Sequence, residues 1–588
     1  MEWVLSDPVR FLRERTELER LAGEVDWFSY VWRLGSDSAL EVDVDLVVHG
    51  RTYAGRLYYP AVFPNSPPYI RPREVGERWT LHQYGAGGSL CLQWRADNWQ
   101  THVTGAEIVR SAYELLHTEQ QPDTPGLVPS DHRQTLGQEL RGETHRFVAT
   151  PALLAAIGAL PTQAAVPAET CTVAHTLTKV RYVTKVGDGV GPASMTDVPE
   201  GLSTYYPLFA WPGTGWILRS PLFEAEREPA TVEELAHWID EAGLDRALLY
   251  NQEPERRLTG GLVLLSSEGA TLKVFELQAN GDTPVVHRHH VLFASPRQTR
   301  LDVESAALAQ CKVGVVGLGS IGSKLAVSLA RSGVRRFVLV DDDLLLPGNM
   351  VRHELTWAAV AMHKAQAVRD QLRLVAADLD ITTKTHRLAG QESALAEAAL
   401  LKELAGCDLL VDATANPEVF LRLAAVAQRA KIGLVWGEVF AGGYGGLIAR
   451  ARPDVDPDPL SVRSALHAHL ETLPPAPFRD AIGYDEVDDQ ALIAHDSDVG
   501  HIATALTRLA IDTALKRAPS HFPYPLYLIG LRQEWIFTQP FDTQPVEVRG
   551  GDWNASAPVA SDEQRLEAVK ELLALHQAEI DAHTSPSP

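Results

Sequence analysis

Cysteine is scarce in this chain of 588 residues, which contains four: Cys91, Cys171, Cys311 and Cys407. They lie far apart and form no CxxC pair, so their spacing supports neither a zinc site nor a disulfide framework. Long apolar runs are also missing, and the charged N-terminus has no apolar signal core. We therefore expect a cytoplasmic protein without a membrane partner.

Basic clusters are absent as well. Asp and Glu number 76 against 53 Lys and Arg, which gives a formal net charge of −23. Binding to a phosphate backbone needs a concentrated basic surface, so the composition argues against nucleic acid as the main partner. The length exceeds what one hydrophobic core usually supports, and several domains are expected.

Hydrophobic patterns along the chain predict an α/β multidomain protein with five segments. Period-2 alternation and amphipathic helices indicate an N-terminal α+β domain, and an alanine- and proline-rich stretch after it is expected to be a linker. Mixed strands and helices follow, then a strand, glycine turn and helix that begin a doubly wound, Rossmann-like domain. A helix with a capping-box start at Ser561 precedes a disordered SPSP end. The predicted bounds are 1–145, 146–170 (linker), 171–300 (middle), 301–545 (doubly wound) and 546–588 (helix and tail).

The stretch GLGSIG contains Gly317, Gly319 and Gly322 between an apolar strand and a helix. Glycines at this spacing permit a tight turn, a close approach of phosphate to the backbone, and close helix–strand packing. Asp341 ends the next strand, where an acid can bind a ribose. Taken alone, the turn fits an NAD-dependent dehydrogenase equally well.

The polar residues that follow separate these interpretations. Arg352 and Lys364 form a cationic pair just beyond the second strand. A dehydrogenase has no need of such a pair, whereas an enzyme that adenylates a carboxylate must neutralise the α-phosphate as pyrophosphate leaves.

This region resembles the ThiF/MoeB adenylating fold that is shared with ubiquitin-activating enzymes. The family pattern is GxGxxG, DxD after the second strand, NxxR and a lysine. Eight positions match it: Gly317, Gly319, Gly322, Asp341, Asp343, Asn349, Arg352 and Lys364. The resemblance implies that Asp341 holds the ribose of ATP, and that Arg352 and Lys364 contact the phosphates.

The same resemblance implies a homodimer, in which an arginine upstream of the first strand reaches the partner's site. Arg297 and Arg300 are the candidates. The stretch CDLLVDATANPEVF is similar to the family's DxTDN strand end and keeps Asp412, the expected Mg²⁺ ligand. Ala415 replaces the second aspartate, which leaves the placement of the metal open. An inactive Rossmann-like scaffold is the alternative.

Cys91 lies in GGSLCLQW, where a packed strand cysteine and a nucleophile are both possible interpretations. The stretch YPAVFPNSPP before it resembles the proline run of ubiquitin-conjugating enzymes, and Gly88 and Cys91 match that family's GxLCL. Over residues 25–120 this resemblance implies that Cys91 carries an acyl thioester, which suits thiolate chemistry. His82 matches the histidine of the family's HPN. Gln83 and Tyr84 replace its Pro-Asn, so the usual amide for the oxyanion is missing, and His82 or a backbone N–H is left to serve.

Activating enzymes carry a second cysteine after the adenylation core, and this chain has none there. Either the adenylate passes directly to Cys91, or Ser497 takes the acyl group as an ester, with His495 and His501 near in sequence. We expect direct transfer, because a serine alkoxide needs a base.

Together these features resemble a bacterial fusion of ubiquitin-conjugating-type and ubiquitin-activating-type domains, found in antiphage (CBASS) operons beside cGAS-like nucleotidyltransferases. The resemblance implies an ATP- and Mg²⁺-dependent enzyme that attaches a partner's C-terminus to target proteins. That partner is a cGAS-like nucleotidyltransferase or a ubiquitin-like protein. It also implies a degenerate adenylation domain in the middle of the chain. The alternatives are MoeB-like activation of a sulfur carrier, which has no use for a conjugating-type domain, and a non-catalytic scaffold.

Overall fold

A computed structural model describes most of the chain, and all structural statements refer to its described residues. These are residues 2–35, 39–80, 82–84, 88–120, 136–140, 143–175, 178–187, 193–199, 202, 210–224, 229–249, 261–267, 271–280, 283–294, 303–477, 494–554 and 561–584. The chain divides into two compact units, Met1–Arg141 and Gly142–Pro588. Among the described helices, none is both long and apolar enough to cross a bilayer.

The first unit contains one antiparallel sheet with the strand order β1-β2-β3-β4, as the period-2 alternation predicts. Its helices pack their apolar faces on this sheet and bury residues such as Leu18, Val44 and Ile108. The elements are α1 (Glu2–Ser6), α2 (Pro8–Glu24), β1 (Phe28–Leu34), β2 (Leu40–Val48), β3 (Arg51–Tyr58), β4 (Tyr69–Pro72), α3 (Gly105–Glu119) and α4 (Leu136–Glu139).

Glu14 of α2 is a buried carboxylate that joins this helix to the start of α3. It accepts hydrogen bonds from Arg10 Nε at 2.9 Å, from Tyr59 Oη at 2.8 Å and from the backbone N–H of Gly105 at 2.7 Å. Burial raises the pKa of Glu14, while these donors act in the opposite direction. A buried charge held by three donors fixes α2 against the N-terminus of α3.

The second unit begins with a ring of strands. Their order is β5-β12-β11-β10-β9-β6-β7-β8, and β5 also pairs with β7, which closes seven strands into a barrel. The elements are β5 (His145–Ala149), α5 (Pro151–Gly158), β6 (Ala164–His175), β7 (Thr178–Val186), β8 (Ala193–Ser194), β9 (Ala210–Arg219), α6 (Val232–Glu241), β10 (Gly261–Ser266), β11 (Leu272–Asn280) and β12 (Thr283–Phe293).

This barrel differs from the sequence predictions in two respects. Residues 146–170, expected as a linker, contain most of β5, helix α5 and the first half of β6, because Ala164 to Val173 of β6 pair with the distant strand β9. A degenerate adenylation domain was expected in the middle region. The described pairings there are mostly antiparallel rather than those of a doubly wound parallel sheet.

The rest of the second unit is the doubly wound fold that the sequence predicts. Its sheet order is β15-β14-β13-β16-β17-β18-β19-β20, with the first five strands parallel. The elements are α7 (Val303–Leu308), β13 (Lys312–Val316), α8 (Ser320–Arg331), β14 (Arg336–Val340), α9 (Lys364–Val375), β15 (Asp380–Lys384), α10 (Ala394–Leu404), β16 (Leu409–Asp412), α11 (Pro417–Ala430), β17 (Gly433–Val439), β18 (Gly445–Ala451), α12 (Pro459–Thr472), α13 (Asp496–Ala514), β19 (Leu526–Gly530), β20 (Thr543–Val546) and α14 (Asp562–Thr584).

Helices cover both faces of this sheet, since α8, α9 and α13 contribute to one apolar core and α10, α11 and α12 to the other. The strand order reverses between β13 and β16. Ligands of doubly wound folds bind in the crevice at such a switch point. The predicted capping box of α14 is also present: Gln564 N–H donates to Ser561 Oγ, and Ser561 N–H donates to Gln564 Oε1. The SPSP end lies outside the described residues.

Candidate functional site

The glycine turn lies at the switch point. Val316, the last residue of β13, pairs with Val340 on one side and with Asp412 on the other. The loops that leave the three strands therefore begin at one edge of the sheet, with Gly317 and Asp341 first in two of them. This register brings together residues that the sequence analysis assigned to a single nucleotide site.

The three glycines of the turn differ in what a side chain at each position would meet. Gly317 has a φ of +83°, and a Cβ there would lie 2.7 Å from Thr414 Cγ2. At Gly322 a Cβ would lie 1.9 Å from the Gly317 carbonyl oxygen, so α8 can pack on the turn only without a side chain. Gly319, the N-cap residue of α8, has open space where a Cβ would be. Open space beside a helix N-terminus is the arrangement that admits an anion.

Asp341 supports the turn from the neighbouring strand end. Its carboxylate accepts hydrogen bonds from the backbone N–H of Leu318 at 2.6 Å and of Asp343 at 2.9 Å. Burial raises the pKa of Asp341, and the two backbone donors and Lys364 oppose that effect. The carboxylate is held in place by backbone groups, and it lies beside the turn where a ribose was expected.

The two basic residues of the predicted site, Arg352 and Lys364, lie on the segment that follows β14. Lys364 begins α9, and its Nζ lies 2.6 Å from Asp343 Oδ2 while its side chain is 11% exposed. Arg352 follows the 3-10 helix Pro347–Val351 and donates its backbone N–H to Asn349 O. Asn349 also accepts the Leu346 N–H through its side chain at 2.9 Å. Asn349 therefore shapes the loop that carries Arg352.

His353 is a site residue that the sequence analysis missed. Its Nε2 donates to the Leu318 carbonyl at 2.9 Å, and its Nδ1 accepts the Leu355 N–H at 3.2 Å. This pattern requires the neutral imidazole. Burial lowers the pKa of His353 to about 4, with Lys364 and Lys324 adding to the effect. The signal available in the sequence was its place directly after Arg352.

Asp412 ends β16 and is almost fully buried. Its Oδ1 accepts hydrogen bonds from the Thr414 hydroxyl at 2.6 Å and from the Thr414 N–H at 3.0 Å. Burial raises its pKa. Ala415, which replaces the family's second aspartate, has a left-handed φ of +53°. Asp412 also lines a cavity of about 110 Å³ together with Asn416, Glu438, Arg463 and His467.

The remaining predicted residues of this unit are not joined to the turn by described contacts. Ser497 is exposed in the first turn of α13, whose N-cap is His495. His501 lies against Phe541, with ring centroids 5.4 Å apart. No contact in the described part of the chain joins the Ser497 hydroxyl to either histidine, so the ester route stays a prediction. Arg297 and Arg300 lie outside the described residues.

Cys91, in the first unit, lies between two core leucines. Leu90 and Leu92 are buried, whereas Cys91 is half-buried. A short antiparallel pairing places it: Cys91 N–H donates to His82 O, and Tyr84 N–H donates to Ser89 O. A Cβ at Gly88 would lie 1.4 Å from the Tyr84 carbonyl oxygen, so this close approach requires glycine. The alternation directs the thiol away from the core.

The four thiols have different surroundings. Burial raises the pKa of Cys407 to about 12 and also raises the pKa values of Cys171 and Cys311. At Cys91, by contrast, Arg95 Nη1 lies 2.9 Å from Sγ and Tyr84 Oη lies 3.7 Å from it. The structure therefore distinguishes Cys91 by its polar neighbours.

The side chains of the HPN-like segment do not all face the thiol. The His82 imidazole lies 3.5 Å from Glu119 Oε1, near the end of α3. Gln83 is buried and bonds the backbone of the preceding segment, through Trp79 N and Glu77 O. Tyr84 is the member that reaches Cys91. The expectation that His82 or a backbone N–H steadies the oxyanion stays a prediction.

Residues 297–457 match the ThiF family. The uncharacterized protein y4oA of Sinorhizobium fredii is 33% identical over 172 residues, which cover 27% of this chain and 28% of that protein. The ATP-dependent ubiquitin transferase-like protein Cap2 of Enterobacter hormaechei is 34% identical over 114 residues, covering 19% and 18% of the two chains. Molybdopterin-synthase adenylyltransferase of Salmonella typhimurium is 33% identical over 132 residues, covering 22% and 50%.

These matches cover parts of the relatives: about a quarter of y4oA and of the related y4qC. Among solved structures, E. coli MccB with ATP aligns with a TM-score of 0.32 at 15% identity, covering 44% of this chain and 68% of that one. The ThiF match includes every residue of the glycine turn, the cationic pair and Asp412, and it does not include Cys91.

Proposed function

We propose that this chain is an ATP-dependent protein-conjugating enzyme. Residues 301–545 adenylate the C-terminal carboxylate of a partner protein, and Cys91 receives the acyl group as a thioester and passes it to a target amine. The observation that carries the proposal is the register at Val316, which gathers the glycine turn, Asp341 and Asp412 at one sheet edge. The ThiF match over 297–457 supports the same chemistry.

In this proposal the polar groups at the edge have separate tasks. The backbone N–H groups at Gly319 and the start of α8 donate hydrogen bonds to a phosphate, and Asp341 binds the ribose hydroxyls. Lys364 and Arg352 balance the charge that develops as the carboxylate attacks the α-phosphorus and pyrophosphate leaves. His353 holds the turn in shape through the Leu318 carbonyl.

Mg²⁺ is the metal that this chemistry requires, and Asp412 is the residue that would hold it. No group of three or more His, Cys, Asp or Glu side chains in the described residues is arranged as a protein metal site. Mg²⁺ commonly takes one or two carboxylates and completes its shell with water and phosphate oxygens, so Asp412 with nucleotide fits. Burial raises the pKa of Asp412, and the Thr414 hydrogen bonds and Arg463 oppose that effect. When bound, the metal neutralises phosphate charge.

The conjugating half of the proposal rests on the first unit. A four-stranded antiparallel meander, a proline-rich loop with turns, a partly exposed cysteine and then a helix occur in the order that ubiquitin-conjugating enzymes use. Cap2 relatives carry the name ubiquitin transferase-like, which agrees with the fusion. We propose a cGAS-like nucleotidyltransferase as the activated partner in antiphage defence, with a ubiquitin-like protein as the second possibility, and a homodimer as the assembly.

The experiment incubates the full chain with ATP, Mg²⁺ and each partner class in turn. Pyrophosphate exchange that depends on the partner's C-terminal residue supports adenylation, and conjugates that disappear in Cys91→Ala support the carrier role. Exchange with normal conjugation in Cys91→Ala contradicts the carrier role. Pyrophosphate exchange with a sulfur-carrier protein, without any conjugates, would favour the MoeB-like alternative. The similarity to molybdopterin-synthase adenylyltransferase supports testing that alternative. Absence of exchange with every partner would favour a scaffold.

A further inference from the structure

The sulfur of Cys91 faces two hydrogen-bond donors that match no family motif. Arg95 Nη1 lies 2.9 Å from Sγ and also 2.7 Å from Tyr84 Oη, while Tyr84 Oη lies 3.7 Å from Sγ. One guanidinium nitrogen carries two protons, so it can donate to both partners. The Tyr84 oxygen then accepts from Arg95 and has its own proton to donate to sulfur. A cation and a neutral donor therefore converge on one thiol.

The local fold holds both donors in place. The pairing of residues 82–84 with 89–91 sets Tyr84 beside Cys91, and Gly88 permits that approach. On the other side, Asn98 orders the loop: its Oδ1 accepts the Arg95 N–H at 2.8 Å and its Nδ2 donates to Gln93 O at 2.7 Å. The Arg95 side chain is 17% exposed. It is therefore positioned at the sulfur and does not extend into solvent.

An ordinary surface ion pair is the competing explanation for Arg95. Its Nε lies 3.7 Å from Asp97 Oδ1, and the Asp97 side chain is 60% exposed. Exposed pairs of this kind stabilise weakly, because water and salt screen them. The contact to sulfur is shorter and uses a different nitrogen, so Asp97 does not account for the direction of the guanidinium.

We propose that Arg95 and Tyr84 are catalytic residues of acyl transfer at Cys91, where they stabilise negative charge on the sulfur. The inference rests on the proposed function. In loading, the Cys91 thiolate forms an S–C bond to the carbonyl carbon of the acyl-adenylate, and the C–O bond to AMP breaks. In discharge, a target amine forms the N–C bond, the C–S bond breaks, and its electron pair returns to sulfur while the amine proton goes to solvent.

Negative charge is on sulfur at the start of loading and at the end of discharge, and a fixed cation lowers the energy of both states. Arg95 supplies that cation. Burial, and then the bond to Cys91, raise the pKa of Tyr84, so the phenol stays a proton donor at neutral pH. The pair therefore stabilises the leaving thiolate without neutralising it by proton transfer.

The first test measures alkylation of Cys91 by iodoacetamide in the full chain, without ATP or partner, by mass spectrometry of the Cys91 peptide at pH 7. We expect Arg95→Met to slow alkylation about tenfold, the effect of one charge-assisted hydrogen bond. Arg95→Lys should fall between Arg95→Met and the parent, and Tyr84→Phe should slow the reaction about twofold. Arg20→Met is the matched control, because Arg20 is an exposed arginine that pairs with Glu17 and Glu24.

Chemical rescue separates a catalytic from a structural role. Added methylguanidine should restore alkylation in Arg95→Gly and leave the parent and Arg20→Met unchanged. Equal alkylation rates in Arg95→Met and the parent would overturn the proposal. So would a slow Arg95→Gly that methylguanidine does not rescue and that unfolds at lower temperature.

A second arm distinguishes failure of this inference from failure of the proposed function. With ATP and the activated partner, thioester formation in the parent but equally fast loading and discharge in Arg95→Met would overturn the role of Arg95 alone. If the parent forms no thioester at Cys91 with any partner, the proposed function and the role of Arg95 in acyl transfer fail together, whatever the alkylation rates. Slower loading in Arg95→Met, with unchanged pyrophosphate exchange, supports both.

Discussion

The two candidate sites use their polar residues in different ways. At the glycine turn, Asp341 and His353 bond backbone groups of the Leu318 segment and so shape the loop that would receive a ligand. At Cys91, Arg95 and Tyr84 contact the sulfur atom itself. Asp341 stands at a fixed spacing after the glycine turn, which a sequence pattern records, whereas His353 belongs to no such pattern. Side chains that converge on one atom can come from positions without any pattern.

The largest effect that we predict concerns the buried carboxylate of the thiol-bearing unit. Glu14→Ala removes the partner of Arg10, Tyr59 and the Gly105 N–H, and leaves a buried cation unpaired. The free energy of unfolding of residues 1–141 should fall by about 3–5 kcal/mol, as measured by hydrogen exchange in α2 and α3. Glu17→Ala, which removes an exposed pair on the same helix, is the control. A loss below about 1 kcal/mol would contradict the structural role of Glu14.

The second prediction is that a substitution at the glycine-turn site affects adenylation and leaves the reactivity of Cys91 unchanged. Lys364→Ala should lower partner-dependent pyrophosphate exchange about 10²- to 10³-fold, because it removes a preorganised charge from the phosphate site. Alkylation of Cys91 should not change. Lys402→Ala, at an exposed position of α10, is the matched control. If pyrophosphate exchange is unchanged in Lys364→Ala, Lys364 has no part in adenylation, and the assignment of the glycine-turn site to phosphate chemistry is contradicted.

The third prediction concerns two glycines of the turn. Gly322→Ala should lower the free energy of unfolding of this region by about 1–3 kcal/mol, because the new Cβ meets the Gly317 backbone. Gly319→Ala should keep the stability and weaken ATP binding, since its Cβ enters open space beside the helix N-terminus. Thermal unfolding with and without ATP measures both effects. Equal losses of stability in the two variants would contradict the assignment of Gly319 to ligand approach.

The smallest effect is a pH dependence at His353. Its folded pKa of about 4 lies below the ordinary 6.5, so the fold favours the neutral ring. The stability contribution is complete above pH 6.5 and is lost as the pH falls toward 4, by about 2 kcal/mol at pH 5. In His353→Gln this part of the acid dependence should disappear from unfolding curves between pH 4 and 7. If the free energy of unfolding changes with pH in the same way in the parent and the variant, the role assigned to His353 is contradicted.

The sequence predicted the fold best where local pattern determines it. The strand, glycine turn and helix at 312–331 follow from residue spacing, and so do the meander of the first unit and helix α3. The first half of β6 was missed, because its alanine and proline content resembles a linker and its partner β9 is distant in sequence.

At the two candidate sites, too, the sequence indicated only those residues that belong to a local pattern. Asp341, Asp343, Arg352 and Lys364 could be named from their spacing after a strand. His353 could not, because its importance lies in a bond to a carbonyl 35 residues away. The assignment of Tyr84 and Arg95 to the thiol likewise needed coordinates. In the sequence, Tyr84 is only the residue that replaces the asparagine of the HPN motif, and Arg95 is only an arginine in a loop.

The most direct test of the account is intact-protein mass spectrometry of the full chain after incubation with ATP, Mg²⁺ and the activated partner. We predict a covalent adduct of the partner's mass minus water, sensitive to thiol reagents, on the peptide that contains Cys91. It should be absent in Cys91→Ala and Lys364→Ala and present in Ser497→Ala. An adduct that persists in Cys91→Ala, or that is lost in Ser497→Ala, would contradict direct transfer from the adenylate to Cys91.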